Sequence, residues 1–351
     1  MNREFWKGRR VFLTGHTGFK GSWLALMLQA LGAEVHGYAL APATIPALFT
    51  EAEVAKGMHS QIGDIRDLEA LRSALVAAKP EIVLHLAAQA IVSESFDTPL
   101  DTFQTNVMGT ANLLEAVRAQ GSVRTVLVVT SDKCYENRNW MWSYREGEAL
   151  GGNDPYSASK ACAELVVTSY RYSFFDKPGD PVIATARAGN VIGGGDWSRD
   201  RLIPDIIRAF IRNESVNIRS PDSIRPWQHV LEPLWGYLLL AEQCTTDRSF
   251  GQAWNFGPDQ HDAQPVRFIA DTLAGMWGDG AAWHTPEQNT LKEACILKLD
   301  STKARSLLHW RPVTQLPEAL QLTADWYKSH ASGVSPRSST ERQIRAFLNR
   351  S

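Results

Sequence analysis

The sequence has few cysteines and no long apolar run. Its four cysteines are spread over 351 residues with no spacing typical of a zinc site or a disulfide framework, namely Cys134, Cys162, Cys244 and Cys295. No segment approaches the roughly 18 apolar residues of a membrane span, and the apolar run after the charged N-terminus is too short for a signal peptide. We therefore expect a cytoplasmic protein with reduced thiols, no bound metal and no membrane partner.

The sequence also lacks an excess of charge of one sign. It has 36 Lys and Arg residues against 38 Asp and Glu residues, a formal net charge of −2 and a pI near 6.5. Such a balance provides no field that attracts nucleic acid, so a small-molecule substrate is expected. The length and a hydrophobic content of 44% allow one large domain or two modest ones.

A glycine-rich turn follows the first predicted strand. The strand covers residues 10–14, a helix is predicted over residues 22–31, and Gly15-His16-Thr17-Gly18-Phe19-Lys20-Gly21 lies between them. Glycines at this spacing let the backbone turn tightly and approach a pyrophosphate at the start of a helix. The predicted contacts to a dinucleotide cofactor are Gly15, Thr17, Gly18, Phe19 and Gly21.

The end of the second predicted strand lacks the acid that usually binds the adenosine ribose. Residues 38–42 there contain neither an acidic nor a basic side chain, so a ribose 2′-phosphate would have no partner and NAD is favoured over NADP. Asp64, after the third strand, is placed either to meet the adenine or to cap the helix that begins near Asp67. The rest of the predicted cofactor site consists of Ile65 and, after the fourth strand, Leu86, Ala87 and Ala88.

Reactive side chains are concentrated after the fifth strand. The apolar stretch from Val126 ends in Thr130-Ser131-Asp132-Lys133, at the sheet edge where open α/β sheets bind ligands. Pro155 suits the start of a helix, which places Tyr156 and Lys160 one turn apart on one face. On that geometry the lysine is expected to lower the pKa of the phenol, which is otherwise near 10. The predicted catalytic residues are Ser131, Asp132, Lys133, Tyr156 and Lys160, the last two also contacting the cofactor.

The glycine loop, the Thr-Ser-Asp strand end and the Tyr156–Lys160 pair together resemble the extended short-chain dehydrogenase/reductase superfamily, whose members act on nucleotide sugars with a bound nicotinamide cofactor. Segments at 187–197, 201–205 and 225–230 extend the resemblance, which covers residues 7–328. Relatives that dehydrate dTDP-glucose carry Thr-Asp-Glu where this chain has Ser131-Asp132-Lys133. The lysine is characteristic of the branch that acts on CDP-glucose.

The resemblance implies a hydro-lyase of deoxysugar biosynthesis that binds CDP-glucose and NAD. In the implied reaction Tyr156 removes the proton of the sugar 4-hydroxyl, and Asp132 protonates the departing 6-hydroxyl. The base that acts at C5 is either a neutral Lys133, or Glu136 or a water, with a charged Lys133 stabilising the enolate. The implied substrate contacts are Gln89, Asn190, Asp196, Trp197, Arg201 and Arg225. Relatives pair through the helices at 102–119 and 157–175, which implies a homodimer or a tetramer.

The predicted fold is a doubly wound Rossmann-type parallel sheet followed by a smaller, mixed α/β substrate-binding domain. Residues 1–188 form the NAD-binding domain, to which a segment near 228–258 returns, and residues 189–340 form the interleaved substrate domain. Residues 228–240 are interpreted as a strand or loop in which His229 is structural. Residues 331–340 are predicted to be loose and 341–351 to form a tail, with a short closing helix over 341–348 as an alternative.

Two other functions are compatible with parts of the pattern. A nucleotide-sugar epimerase on the same scaffold needs Tyr156 and Lys160 but not Asp132 with Lys133. A regulator that binds NAD without chemistry needs none of the reactive side chains. The presence of all of them together favours a dehydratase.

Overall fold

A computed structural model of the chain describes residues 2–278, 280–286 and 296–351. Cys295 lies outside these residues, and the other three cysteines are free thiols. The strands are β1 (Arg10–Thr14), β2 (Glu34–Ala39), β3 (His59–Ile62), β4 (Ile82–His85), β5 (Thr125–Val129), β6 (Val182–Ala188), β7 (Val191–Ile192), β8 (Val216–Asn217), β9 (Ile224–Pro226), β10 (Gln228–His229), β11 (Ala253–Phe256), β12 (Ala263–Pro265) and β13 (Trp283–His284). The helices are α1 (Arg3–Trp6), α2 (Phe19–Ala30), α3 (Leu48–Glu51), α4 (Leu68–Ala78), α5 (Val92–Asp97), α6 (Pro99–Phe103), α7 (Gly109–Arg118), α8 (Pro155–Phe174), α9 (Leu202–Ile211), α10 (Leu231–Cys244), α11 (Val266–Trp277), α12 (Thr302–Leu307), α13 (Leu316–Ala331) and α14 (Pro336–Leu348).

Seven parallel strands form the central sheet, in the order β11-β6-β5-β4-β1-β2-β3. One apolar core contains side chains of α2, α10, α13 and α14, and a second contains side chains of α4, α7 and α8. A strand order that reverses beside β1, with a core on each face, is the doubly wound arrangement. The predicted Rossmann-type fold is therefore confirmed. The carboxyl ends of β1, β4, β5 and β6 meet at one edge, so the polar residues after them converge.

The predicted strand or loop at residues 228–240 is wrong, because all but its first residues belong to a helix. Gln228 and His229 form the short strand β10, and α10 begins at Leu231. Almost every residue of α10 is buried, so its sequence has no amphipathic period from which a helix is recognised. His229 is fully buried, with its ring centroid 5.7 Å from that of Trp23, which agrees with a structural role.

The predicted loose segment and tail are also wrong. Residues 336–348 form α14, which packs on α13 and α2. Its inner face is buried through Ile344, Phe347 and Leu348, and Trp326 of α13 donates a 2.9 Å hydrogen bond to the Thr340 hydroxyl. The closing helix over 341–348, left open from the sequence, is thus present and begins five residues earlier.

Short strand pairs form the smaller region beyond the sheet. They are β7 with β10, β8 with β13 and β9 with β12. Within residues 2–278, 280–286 and 296–351, no helix is long and apolar enough to cross a membrane.

Candidate active site

The glycine loop requires glycine at its first and last positions. Gly15 has φ +78°, and a Cβ there would lie 2.6 Å from the Ala87 backbone nitrogen. A Cβ at Gly21 would lie 2.0 Å from the Gly15 carbonyl oxygen. Gly18 begins α2 without a side chain to cap it. The loop is therefore a tight turn that presents the first backbone N–H groups of a 12-residue helix to an anion.

Neighbouring residues fix this turn against the sheet. The Thr17 hydroxyl donates to the Leu40 carbonyl at 2.8 Å, and the Ala87 N–H donates to the Thr14 hydroxyl at 3.2 Å. Phe19 packs against the apolar core that contains α2, and Ile65 lies in the other core. Leu86 and Ala88 are half-buried beside Ala87.

Asp64 and Asp67 have separate roles at the end of β3. Asp67 caps α4 by accepting from the Ala70 N–H at 3.0 Å. Asp64 instead accepts from the Arg66 guanidinium at 2.7 and 2.9 Å, and these hydrogen bonds lower its pKa. The capping alternative therefore belongs to Asp67, and the adenine contact of Asp64 stays a prediction.

The segment after β5 forms a 3₁₀ turn over Asp132–Cys134 that Ser131 caps. The Ser131 hydroxyl accepts from the Lys133 N–H at 3.2 Å and donates to Asp132 Oδ1 at 2.9 Å. Asp132 is 3% exposed, and its Oδ2 has no hydrogen-bond partner in the described part of the chain. Burial raises the pKa of Asp132, against the charges of Lys133 and Arg225 and the Ser131 hydrogen bond. This carboxyl therefore retains a proton to a higher pH than an exposed aspartate does.

Tyr156 and Lys160 lie on the first turns of α8, as predicted. Pro155 is the first helical residue, and Asp154 caps the helix by accepting from the Ser157 N–H at 2.8 Å. Tyr156 is 8% exposed and Lys160 5% exposed. Burial lowers the pKa of Lys160 to about 8.

The expectation that the phenol pKa is lowered is wrong for this structure. Burial raises the pKa of Tyr156 to about 12, although a hydrogen bond with Ser131 and the charge of Arg201 oppose the rise. Desolvation penalises the phenolate more than these groups stabilise it. Further positive charge at the site is needed to bring the phenol into the range of a base.

Two residues of the site were not predicted, Lys20 and Tyr237. The Lys20 ammonium donates to the Tyr237 hydroxyl at 2.9 Å. Burial and the charges of Lys160 and Arg201 lower the pKa of Lys20 to about 7, whereas Asp132 raises it. The available signal for Lys20 was that it is the one charged residue of α2, whose sequence is FKGSWLALMLQA. Tyr237 was hidden because α10 was not recognised as a helix.

Asn106 has a structural role. Its side chain accepts from the Gln89 N–H at 2.9 Å and donates to the Gln89 carbonyl and the Ser159 hydroxyl. It lies in a π-helical turn, Gln104–Met108, between α6 and α7. Asn106 therefore connects the loop after β4 with α8.

Among the predicted substrate residues, the two arginines lie close enough to the predicted catalytic residues to lower the pKa of one of them each. Arg201 donates to Asp196 Oδ2 and to the Ala90 carbonyl, each at 3.2 Å, and its charge lowers the pKa of Tyr156. Arg225 is 5% exposed on β9, and its charge lowers the pKa of Asp132. Both are therefore cations beside the predicted catalytic residues.

The other predicted substrate residues differ in their surroundings. The Gln89 amide donates to the Ile91 carbonyl at 2.8 Å, and its buried Oε1 has no partner among the described residues. The backbone carbonyl of the half-buried Asn190 accepts a hydrogen bond from the Gln228 N–H. The Trp197 ring packs against Tyr327 and His330 in the core, with ring centroids 5.2 and 5.3 Å away.

In the described part of the chain, one group of three possible metal ligands comes together, away from this site. Glu34, His36 and His59 lie at the amino ends of β2 and β3, with ligand atoms within 4.8 Å of one another. The predicted catalytic residues lie at the opposite edge of the sheet, where the strands have their carboxyl ends.

A doubly wound parallel sheet with a glycine loop after β1, a serine after β5, and a tyrosine and lysine one turn apart on α8 defines the short-chain dehydrogenase/reductase class. The chain matches the family described as GDP-mannose 4,6 dehydratase over residues 12–251. It is 50% identical to a CDP-glucose 4,6-dehydratase of Salmonella typhimurium over 99% of both chains. The chain belongs to this family of nucleotide-sugar dehydratases.

Solved structures of related enzymes share the fold. A dTDP-glucose 4,6-dehydratase of Bacillus anthracis in complex with NAD superposes with a TM-score of 0.77 at 20% identity, covering 94% of this chain and 100% of that one. A UDP-glucuronic acid 4-epimerase of Bacillus cereus, in complex with UDP-glucuronic acid and NAD, superposes with a TM-score of 0.79 at 21% identity. It covers 91% of this chain and 99% of that one. At these identities the likeness concerns the fold.

Proposed function

We propose that the protein is a CDP-glucose 4,6-dehydratase, a hydro-lyase that converts CDP-glucose to CDP-4-keto-6-deoxyglucose and water. The observation that carries the proposal is the buried Asp132 carboxyl, hydrogen-bonded through one oxygen to Ser131 and without a partner at the other among the described residues. A carboxyl with a raised pKa suits a general acid. Loss of water requires such an acid, whereas epimerisation at C4 does not. The 50% identical relative with the same name supports the choice of substrate.

NAD fits the glycine loop. A Cβ would collide with backbone at Gly15 and Gly21, and the N-terminus of α2 faces the space that the turn leaves open. In this proposal the loop and Thr17 hold the pyrophosphate, and Asp64, Ile65 and Leu86–Ala88 surround the adenine side. When bound, NAD would accept a hydride from C4 of the sugar and return it to C6 at the end of the reaction. The absence of a basic side chain at residues 38–42 favours NAD over NADP.

In this proposal Tyr156 and Asp132 carry out separate proton transfers. Tyr156 takes the proton of the 4-hydroxyl while Ser131 hydrogen-bonds the same oxygen. Lys160 supplies positive charge to the phenolate, and the cationic nicotinamide would add to it, which offsets the effect of burial on the phenol. Asp132 then gives its proton to the departing 6-hydroxyl. Gln89, Asn190, Asp196, Arg201 and Arg225 bind the nucleotide half. Because the Trp197 ring packs in the core, we assign it to holding Asp196 in place rather than to stacking.

Lys133 is the base at C5 in this proposal. Its backbone is fixed by Ser131, and its half-buried side chain is close enough to Asp132 to lower the pKa of that carboxyl. The side chain of the alternative base, Glu136, is 52% exposed and pairs with Arg138 at 2.9 Å. A neutral amine is required at the moment of proton transfer.

The Lys133→Met variant tests this assignment. We expect exchange of the C5 hydrogen with solvent deuterium to slow by about 10²–10⁴-fold, the usual contribution of a general base. Exchange at the wild-type rate would assign the base elsewhere. Glu136→Gln is the matched control and is expected to leave the exchange rate unchanged.

The proposed function is tested directly with purified protein, NAD and four substrates in parallel: CDP-, UDP-, GDP- and dTDP-glucose. We expect a 4-keto-6-deoxy product from CDP-glucose, with a kcat/KM at least tenfold above the others. A 4-epimer as the product would favour an epimerase. No product from any of the four would contradict the dehydratase proposal.

We further propose that the enzyme is a cytoplasmic homodimer formed through α6, α7 and α8. Exposed apolar side chains on and between these helices support this face, namely Leu100, Met108, Leu165 and Tyr172. The three free thiols agree with a reducing compartment.

A further inference from the structure

A fully buried ion pair lies beneath the catalytic residues. Glu164 follows Lys160 by one turn on α8, and Arg187 lies near the end of β6. Their side chains are 2% and 3% exposed. Arg187 Nε and Nη2 donate to the two carboxylate oxygens of Glu164 at 2.8 and 2.9 Å. The geometry is bidentate, the strongest form of this pair.

The two oxygens of Glu164 also accept from two threonines. The Thr130 hydroxyl donates to Oε1 at 2.5 Å, and the Thr185 hydroxyl donates to Oε2 at 2.8 Å. Burial raises the pKa of Glu164, but the hydrogen bonds and charge of Arg187 and the threonine hydroxyls together lower it below its usual value. Glu164 is therefore a carboxylate at neutral pH.

The same pair holds the catalytic turn at both of its ends. Thr130 immediately precedes Ser131, and Arg187 Nη1 donates to the Tyr135 hydroxyl, which follows the turn, at 2.8 Å. The Tyr135 hydroxyl donates in turn to Asn255 of β11 at 2.7 Å. The ion pair thus connects β6 with β5, which ends just before Ser131 and Asp132, and with α8, which carries Tyr156 and Lys160.

Stability alone does not account for such a pair. Desolvation of two buried charges offsets much of their attraction, and well-packed apolar residues of similar size often replace such pairs at no cost in stability. The pair also makes contacts that an apolar pair would not make, because each charged group orients a neighbour of a catalytic residue.

We propose that Glu164 and Arg187 are positioning residues of the dehydratase, which fix the Ser131–Cys134 turn against α8 and place a negative charge beneath Lys160. This inference rests on the proposed function. Neither residue is expected to touch the substrate, since both are buried below the catalytic turn.

The charge of Glu164 has a defined effect on Lys160. Burial lowers the pKa of Lys160, and Glu164 opposes this effect. Cys134 also faces Lys160, but burial raises the pKa of its thiol, so it stays neutral. Lys20 from α2 and the buried His85 from β4 face Lys160 as well, and the low pKa of His85, about 3, leaves that ring neutral. Glu164 is therefore the negative charge that keeps Lys160 protonated.

The double variant Glu164→Gln with Arg187→Met tests the inference. Removing both charges avoids an unpaired buried ion. Without the carboxylate the pKa of Lys160 falls further, so the alkaline limb of the kcat–pH profile should move to lower pH by about one unit. We expect KM for CDP-glucose to change less than threefold.

Glu232→Gln is the matched control. Glu232 is also fully buried, but it accepts from the backbone N–H groups of Val313 and Thr314, away from the catalytic turn. It should lower the melting temperature and leave the pH profile in place. A folded double variant with the wild-type profile would overturn the electrostatic part of the proposal.

Thr130→Val tests the positioning part and keeps the ion pair. It removes the hydrogen bond between Glu164 and the residue before Ser131, so kcat should fall about tenfold with the alkaline limb unchanged. A wild-type kcat in this variant would contradict positioning.

If the wild-type protein does not act on CDP-glucose, the proposed function fails instead. The shift in the pKa of Lys160 then remains measurable without substrate. The part of the rise in melting temperature with pH that is lost on Lys160→Met should begin at a lower pH in the double variant than in the wild-type protein.

Discussion

Burial of the Lys160 ammonium destabilises the folded protein. Its pKa is lowered from 10.5 to about 8, so between these pH values the unfolded chain binds a proton that the folded chain has released. Stability should therefore rise with pH across this window, and the full penalty of about 3 kcal/mol applies below pH 8. Catalytic groups commonly have such a cost, since the function requires a desolvated charge.

Lys160→Met is expected to stabilise the protein at pH 7 by about 3 kcal/mol and to abolish turnover. The Met variant should also lose the part of the rise in stability between pH 8 and 10.5 that Lys160 causes, while the part that Lys20 causes from about pH 7 remains. Urea denaturation at pH 7 and pH 10 measures both effects. An equal or lower stability of the variant at pH 7 would mean that the ammonium is well solvated or paired in the folded protein.

Asp132→Asn separates oxidation of the sugar from loss of water. The variant retains the size of the side chain but provides no acid, so the 6-hydroxyl leaves about 10²–10⁴-fold more slowly. Oxidation at C4 should still occur, so absorbance of reduced cofactor should accumulate in a single turnover. Asp247→Asn, an exposed cap of a 3₁₀ turn, serves as the control. Rapid dehydration by Asp132→Asn would exclude this residue as the acid.

Among the structural elements, α14 shows how a polar sequence forms a buried element. Its half-buried polar residues include Arg337 and Glu341, which pair at 2.7 Å, and its inner face contributes Phe347 to the main core. The sequence of this helix is polar overall, and the neighbouring 331–340 segment is rich in turn-forming residues. The inner apolar residues become significant only when α2 and α13 are present to cover them.

Phe347→Ala is expected to destabilise the protein by about 3–5 kcal/mol, because it leaves a cavity between α14 and its neighbours. Arg342→Ala, on the exposed face of the same helix, should change stability by less than about 0.5 kcal/mol. Chemical denaturation of both variants provides the comparison. Similar stabilities would mean that α14 contributes little to the fold.

For the whole molecule, the proposed dimer would bury the exposed apolar side chains of α6 and α8. Leu165→Asp places a charge on this face and should convert the dimer to a monomer in light scattering after gel filtration. Val76 is similarly exposed, 59% against 57%, but lies on α4, so Val76→Asp should stay dimeric. A wild-type protein that is monomeric at micromolar concentration would contradict the dimer.

The sequence by itself determined the alternating strands and helices, the glycine loop and the placement of Tyr156 and Lys160 one turn apart on one helix. These features are local. A strand buried on both faces is a continuous apolar run, and a backbone position with positive φ is usually occupied by glycine. Two residues four positions apart lie on the same face of a helix. Such patterns are readable without knowing what packs against them.

Only the tertiary structure decided the features that depend on partners distant in the chain. Because α10 is buried on all sides, its sequence has no helical period, and neither the helix nor Tyr237 was predicted. Packing against α2 and α13 stabilises α14 as a helix. Burial also set the direction of the pKa shifts of Asp132, Tyr156 and Lys160, which their residue types alone do not determine. The Glu164–Arg187 pair joins residues 23 positions apart on different elements, and no local pattern connects them. Desolvation and long-range pairing are properties of the folded chain.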